Sequence, residues 1–323
     1  MPQPTPGDRH VNALLTNLSI GYKNDVYIAD QIFPVVTVNK QSDIVPKYDQ
    51  SHWFRDLAKL RAPGTKSYRS GFTLDTTDTY FAHRYSFADE VSDDERANAD
   101  PVYSRIDEEA TEFVTDKLLM SRENKFVATA FTTGKWTTLK TGNSDFTYWS
   151  DYASSTPIED VTAYQDTVEG LIAKEPNKFV MGKQVWSSLR WHPDIVDLFK
   201  YTQVGIISEQ MLATVLGFPQ VLIGRGLTTT TAEGVAEASV VYARIWGKHA
   251  LMCYVPDAPS LRRPAGGYTF VWGGAQNVVS GAPQYIKTMR DEEREVDIIE
   301  GNSYYDMKIT AARAGLFMSG AIA

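Results

Sequence analysis

The sequence predicts an α+β fold, and three observations carry that prediction. Residues 101–132 repeat apolar residues at spacings of three and four without an interior Gly or Pro, the pattern of one long amphipathic helix. Residues 156–224 alternate helical and strand-like segments, and residues 268–317 are mostly strand-like. The 323 residues suffice for about two domains at roughly 150 residues each.

Residues 1–45 hold Pro2, Pro4, Pro6 and scattered apolar positions without a sustained period, and read as an extended arm. Such an arm has no core of its own, so neighbouring subunits are expected to tie it down. Residues 46–88 mix basic residues with aromatics around the turn signal Ala62-Pro63-Gly64-Thr65. Beyond it Phe72, Leu74 and Thr76, then Phe81, His83, Tyr85 and Phe87, alternate with polar neighbours, which fits a long protruding hairpin. Asp100-Pro101 supplies an N-cap acid and a Pro at the first helical position. Val102, Ile106, Ala110, Phe113, Val114 and Leu118 form the apolar stripe of the helix that follows, opposite Asp107, Glu108, Glu109, Glu112 and Asp116. At 1.5 Å per residue, about 30 residues span roughly 45 Å, the length of a spine.

Residues 134–155 have the composition of a tight hairpin and read as a surface insertion. Thr156-Pro157-Ile158-Glu159 is a capping-box signature for a helix that ends before Pro176. Strands are expected over 178–181, 219–224, 240–246 and 250–255, and helices over 184–190, 192–199 and 208–216, the last closed by Gly217.

Composition excludes several function classes. Forty acidic residues against 32 basic ones give a net charge of -8, so a broad nucleic-acid-gripping surface is excluded and any DNA contact must be local or indirect. The single cysteine, Cys253, allows neither an intrachain disulfide nor a cysteine-rich zinc site. No secretory signal or transmembrane segment is read, because the uncharged stretch 265–286 is broken by six glycines and prolines. His10, His52, His83, His192 and His249 show no metal-ligand spacing, and no phosphate-binding loop or GxSxG elbow occurs. His249 and Cys253 read as a strand-end histidine and a packed cysteine, and the run 89–95 as a solvated acidic face. No cofactor, metal or enzymatic activity is expected.

Several short stretches then point in one direction. Asn177-Lys178-Phe179-Val180-Met181-Gly182, residues 185–195, Lys200-Tyr201-Thr202, residues 212–217 and Val221-Leu222-Ile223-Gly224 resemble the central segment of major capsid proteins of tailed double-stranded-DNA bacteriophages. Residues 246–251, Tyr254-Val255-Pro256, residues 301–306 and Ala314-Gly315 continue the resemblance. The order of arm, long hairpin and long acidic helix is similar to that of the Hong Kong 97-type capsid fold. The resemblance implies an N-terminal arm (1–45), an E-loop (46–88), a P-domain (89–175) with spine helix 101–132 and hairpin insertion 134–155, an A-domain (176–265) and C-terminal strands (266–323). It implies a structural subunit that forms pentamers and hexamers of itself and closes an icosahedral shell around a double-stranded DNA genome, assembled in the host bacterial cytoplasm and residing in the virion. A portal, a separate scaffolding protein and a decoration protein are the implied partners; no membrane is. Lys47, Lys59 and Lys66 lie in the loop where some relatives form isopeptide crosslinks, but without a matching acceptor no crosslink is expected. The alternatives are an encapsulin-like compartment subunit of the same fold and a soluble α/β hydrolase or transferase.

Charge is unevenly placed. Residues 47–69 hold six bases against two acids, a net of +4, while residues 89–123 hold twelve acids against four bases, a net of -8. In the resembled fold the E-loop lies across the neighbour's P-domain. Trp53, Phe54, Arg55, Lys59 and Arg61 are therefore expected to meet Glu108, Glu109, Glu112 and Asp116 of the next subunit.

Overall fold

A computed structural model describes residues 10–11, 13–22, 24, 26–45, 47–48, 54–69, 71, 74–98, 105–199, 207–232, 234–256, 258, 265–274 and 284–323. The chain opens with β1 (His10–Val11), α1 (Ala13–Gly21), α2 (Ala29–Ile32), β2 (Val35–Val38), β3 (Ser42–Ile44) and β4 (Lys47–Tyr48). It returns through β5 (Leu74–Asp75), β6 (Thr79–Phe81) and β7 (His83–Ser92) to α3 (Asp93–Asn98) and the long α4 (Ile106–Ala130). Then come β8 (Thr138–Thr141), α5 (Pro157–Ile172), β9 (Lys178–Gly182), α6 (Lys183–Leu189), α7 (Pro193–Phe199), α8 (Glu209–Val215), β10 (Gln220–Gly224), β11 (Leu227–Thr229) and β12 (Tyr242–Arg244). The strands β13 (Ala250–Cys253), β14 (Gly267–Trp272), β15 (Gln284–Asp291), β16 (Val296–Ile309) and β17 (Gly315–Ser319) complete it.

Two sheets organise the core. One runs β10-β9-β13-β17-β8, and its inner strands β9, β13 and β17 are buried on both faces. Its strands alternate between two clusters: Phe179, Met181, Ala250, Met252, Leu316 and Met318 face α5, α6 and α8, while Val180, Leu251, Cys253 and Phe317 face α2, the end of α4 and Trp246. The period of two explains why these strands are continuous apolar runs rather than half-polar ones. The other sheet is built on β16, which pairs with β7, β15 and β14. Helix α4 crosses it, packing Val114 and Leu118 against Ile286 and Ile299. A Cβ at Gly301 would lie 2.5 Å from Val114 and 2.8 Å from Leu118, so glycine at this point lets the helix approach the sheet.

Several expectations are corrected. Much of the arm is tied down within its own chain: β1 pairs with β15, β2 runs parallel to β14, and Leu15, Ile28, Ala29, Ile32 and Phe33 are buried in this chain's own core. The scattered apolar positions lacked a period because short strand and helix pieces alternate within 30 residues. The segment 134–155 is not a surface hairpin. β8 adds in parallel to β17, and Trp136, Phe146 and Trp149 are buried. These aromatics flank β8 rather than lie in it, Trp136 packing into one core cluster and Phe146 and Trp149 into the other. Phe113 lies outside the apolar stripe of α4 and is 46% exposed, whereas Thr111, Thr115, Arg122 and Glu123 are buried. The hairpin base is observed where β3 pairs with β6 and β4 with β5, which places residues 42–44 in it rather than in the arm. The helix begins at Ile106 among the described residues; the expected cap at Asp100-Pro101 lies outside them. Pro157 stands at the start of α5 as expected, but the Thr156 side chain makes no capping bond.

Candidate subunit interface

The loop between β4 and β5 is braced by its own turn. Gly64 takes φ +81°, the Thr65 N–H and hydroxyl donate to the Ala62 carbonyl at 3.2 and 2.8 Å, and Arg61 donates to the Thr65 carbonyl and, at 3.3 Å, to Ser67 Oγ. Lys59 Nζ stands 4.9 Å from the Tyr68 ring centroid. These contacts stay within the loop, so the segment presents Arg55, Lys59 and Arg61 to solvent on a shaped support. Phe54 is exposed and Leu60 is wholly so, at 105%; Leu60 escaped the sequence reading because a single Leu in a basic loop has no pattern. Trp53 lies outside the described residues.

On α4, Glu109 and Glu112 are exposed and Glu108 is half-buried, 3.6 Å from Arg105. Phe113 lies between them, edge-on to Phe87 at 5.8 Å, so the acidic face contains a small apolar patch. Asp116 does other work. It accepts from Asn24 Nδ2 at 2.8 Å and from the Tyr27 hydroxyl at 3.4 Å, anchoring the arm of its own chain. The run 89–95 is likewise more than a solvated face. Arg294 pairs with Glu90 at 2.5 Å and Arg290 with Asp93 at 2.5 Å, and both guanidiniums hold their carboxyl partners below the usual carboxylate range.

One arrangement with catalytic composition was missed in the sequence. Ser155 Oγ lies 2.8 Å from His192 Nε2, with Asp194 beside Nδ1 at 3.7 Å. The hydrogen bonds run the wrong way for a nucleophile. Ser155 donates to the Asp151 carbonyl at 2.6 Å, and the Asp194 backbone N–H donates to Nδ1 at 3.2 Å. His192 must then carry its proton on Nε2 and donate to Ser155, the tautomer opposite to that of a general base. All three residues serve as a clasp at the start of α7. Cys253 is fully buried, and burial pushes its thiol up to about 12. Among the described residues no group of His, Cys, Asp and Glu could hold a metal ion, and no helix is long and apolar enough to cross a membrane.

Residues 143–242 match the family described as phage major capsid protein E. The major capsid protein of Burkholderia phage BcepMu is 23% identical over 97% of both chains, and that of Pseudomonas phage JBD67 is 27% identical over 96% of both. A phage-related protein from Bordetella bronchiseptica RB50 superposes with a TM-score of 0.72 at 19% identity over 97% of this chain and 98% of that one. The capsid protein of Cyanophage P-SCSP1u superposes at 0.54 and 11% identity over 90% and 87%. From end to end the chain is similar in sequence to two phage major capsid proteins, and it shares its mixed helix-and-sheet fold with solved phage capsid proteins.

Proposed function

We propose that the chain is the subunit of an icosahedral phage shell of the Hong Kong 97 type, forming pentamers and hexamers that enclose double-stranded DNA. The observation that carries this reading is the alignment with two phage major capsid proteins over nearly the full length of both partners. The braced, solvent-presented basic loop around Arg55, Lys59 and Arg61 supports a docking role, because exposed Phe54 and Leu60 gain nothing within one subunit. We assign its target as the Glu108, Glu109 and Glu112 face of the next copy, with Phe113 and Phe87 as the apolar counterpart. In this reading α4 is the spine helix, residues 46–88 the E-loop, and a portal and a separate scaffolding protein take part in assembly. Size-exclusion chromatography and negative-stain microscopy, with and without a scaffolding protein, test it. Closed shells are expected; a monomer under every assembly condition overturns it. Nuclease-protected DNA inside the particles separates a genome shell from a compartment loaded with protein cargo.

A further inference from the structure

Four cations meet where the parallel strands β9 and β10 end. Gly182 and Gly224 are register partners across that ladder, so the next residues, Lys183 and Arg225, leave adjacent strand ends side by side. Arg244 closes β12 opposite Leu227, and the Ile245 N–H donates to the Gly226 carbonyl at 3.0 Å, which pins that strand to the same corner. Arg190 follows Lys183 by seven residues, two turns of helix, and so returns to the same side of α6. The charges acting on Lys183 among the described residues are Arg225, Arg190 and Arg244, against one carboxylate, Glu209, which is itself paired with Arg225. Burial first, and these guanidiniums second, hold the Lys183 amine below the ordinary lysine value.

The corner therefore carries a local excess of three positive charges in a chain of net -8. Grouped like charges raise the energy of the folded subunit unless a polyanion neutralises them. The surroundings fit such a ligand. Arg190 Nε is buried without a hydrogen-bond partner among the described residues, and its guanidinium lies 5.5 Å from the ring of exposed Trp191. Exposed Tyr242 shares a strand face with Arg244, two residues on. An acidic surface of a second copy fits less well. The largest acidic segment, residues 89–123 at -8, is the one that faces the +4 loop in the docking proposed above, and the rest of the chain outside both segments nets only -4.

We propose that Lys183, Arg190, Arg225 and Arg244 form a binding site for the phosphodiester backbone of duplex DNA at the ends of β9 and β10. The contact is sequence-independent and weak in one subunit, and it gains force from repetition over many copies, which rests on the shell reading above. Three neutralised phosphates predict a slope of about -2.7 in log K against log salt, so affinity falls about 40-fold between 50 and 200 mM salt.

The test is fluorescence anisotropy of a random-sequence 20-bp duplex with the purified subunit. The wild type is compared with Arg225→Gln/Arg244→Gln and Lys183→Gln/Arg190→Gln, each checked for fold by circular dichroism. Arg244→Gln alone, on an exposed hairpin, serves if a pair fails to fold. The expected result is a salt slope reduced by about 2 in either pair and by about 1 in the single variant. Unchanged duplex binding in folded variants, or no wild-type binding at millimolar subunit, overturns the site. So does loss of shell formation with unchanged DNA binding, which hands the corner to a second copy. A wild type that binds duplex but never assembles leaves this site standing and removes the shell reading instead.

Discussion

The carboxylate of Glu123 accepts the backbone N–H of Ala29 at 2.9 Å across 94 residues of sequence, and the same group takes the indole N–H of Trp246 and the N–H of Ile28. One fully buried side chain thus ties the arm, helix α4 and the turn before β13 into one unit. Next to it Arg122 reaches Asp30 at 2.6 Å and lies over the Tyr305 ring. Removing the acceptor leaves three donors in the interior. Glu123→Ala is expected to cost about 3 kcal/mol or more, read as a fall in chemical-denaturation midpoint. A variant as stable as the wild type would show that the arm docks without this contact.

Glu123 also makes stability depend on pH. Burial raises its carboxyl to about 7 against its usual 4.5, so the folded state holds a proton that the unfolded state has released. Its contribution is fully present below about pH 4.5 and is lost as pH rises through 7. The stability gap between wild type and Glu123→Gln, measured by thermal melts from pH 5 to 8, should shift toward Gln as pH rises. A gap independent of pH contradicts this assignment.

Arm truncation is expected to act on the subunit itself, before any effect on assembly. Leu15 and Ile28 are buried in two different clusters, and each buried aliphatic contributes about 1.5–3 kcal/mol. Their joint loss rivals much of a domain's roughly 5–15 kcal/mol. Deleting residues 1–30 should therefore give a subunit that is rapidly proteolysed and melts early. A stable deletion that merely fails to close shells would restore the view of the arm as a purely intersubunit strap.

Regular elements were legible where one period governs one element. The strands around Phe179 and Leu251, the helix ending at Val215 and the Pro157 helix start follow from apolar runs, Gly217 and Pro157 alone. The site was half legible: charge arithmetic located the basic loop and the acidic helix, and both are exposed. What stayed hidden was long-range. Asp116 and Glu123 look like any helix-surface acid until Asn24, Tyr27 and Ala29 are brought against them. The Ser155–His192 clasp joins residues 37 apart that share no motif.

That clasp predicts both inertness and acid sensitivity. Ser155 should not react with a fluorophosphonate probe, since its proton points to Asp151 and His192 donates toward it. Burial lowers the His192 imidazole below its usual 6.5, so the unfolded state binds more protons and stability falls as pH drops below 6.5. The opposite slope from Glu123 requires the two to be separated by mutation. His192→Gln should flatten the acid limb of the stability curve, and labelling of Ser155 would reopen the hydrolase reading.

The proposed loop-to-helix docking makes the last prediction, on rates. Exposed ion pairs contribute roughly 0–1 kcal/mol each, so three cations meeting Glu108, Glu109 and Glu112 amount to about tenfold in a single docking step. Arg55→Glu, Lys59→Glu and Arg61→Glu together should slow shell formation, followed by light scattering, without lowering the melting temperature, because these side chains are exposed and their recorded bonds stay within the loop. Adding Glu109→Lys and Glu112→Lys to the same chain restores opposite signs across the contact and should recover much of the rate. Wild-type assembly should slow as salt rises from 50 to 300 mM, since screening shortens the reach of exposed charges to below about 10 Å. Slow assembly in the five-fold variant, equal to that of the triple one, would mean that the loop docks elsewhere.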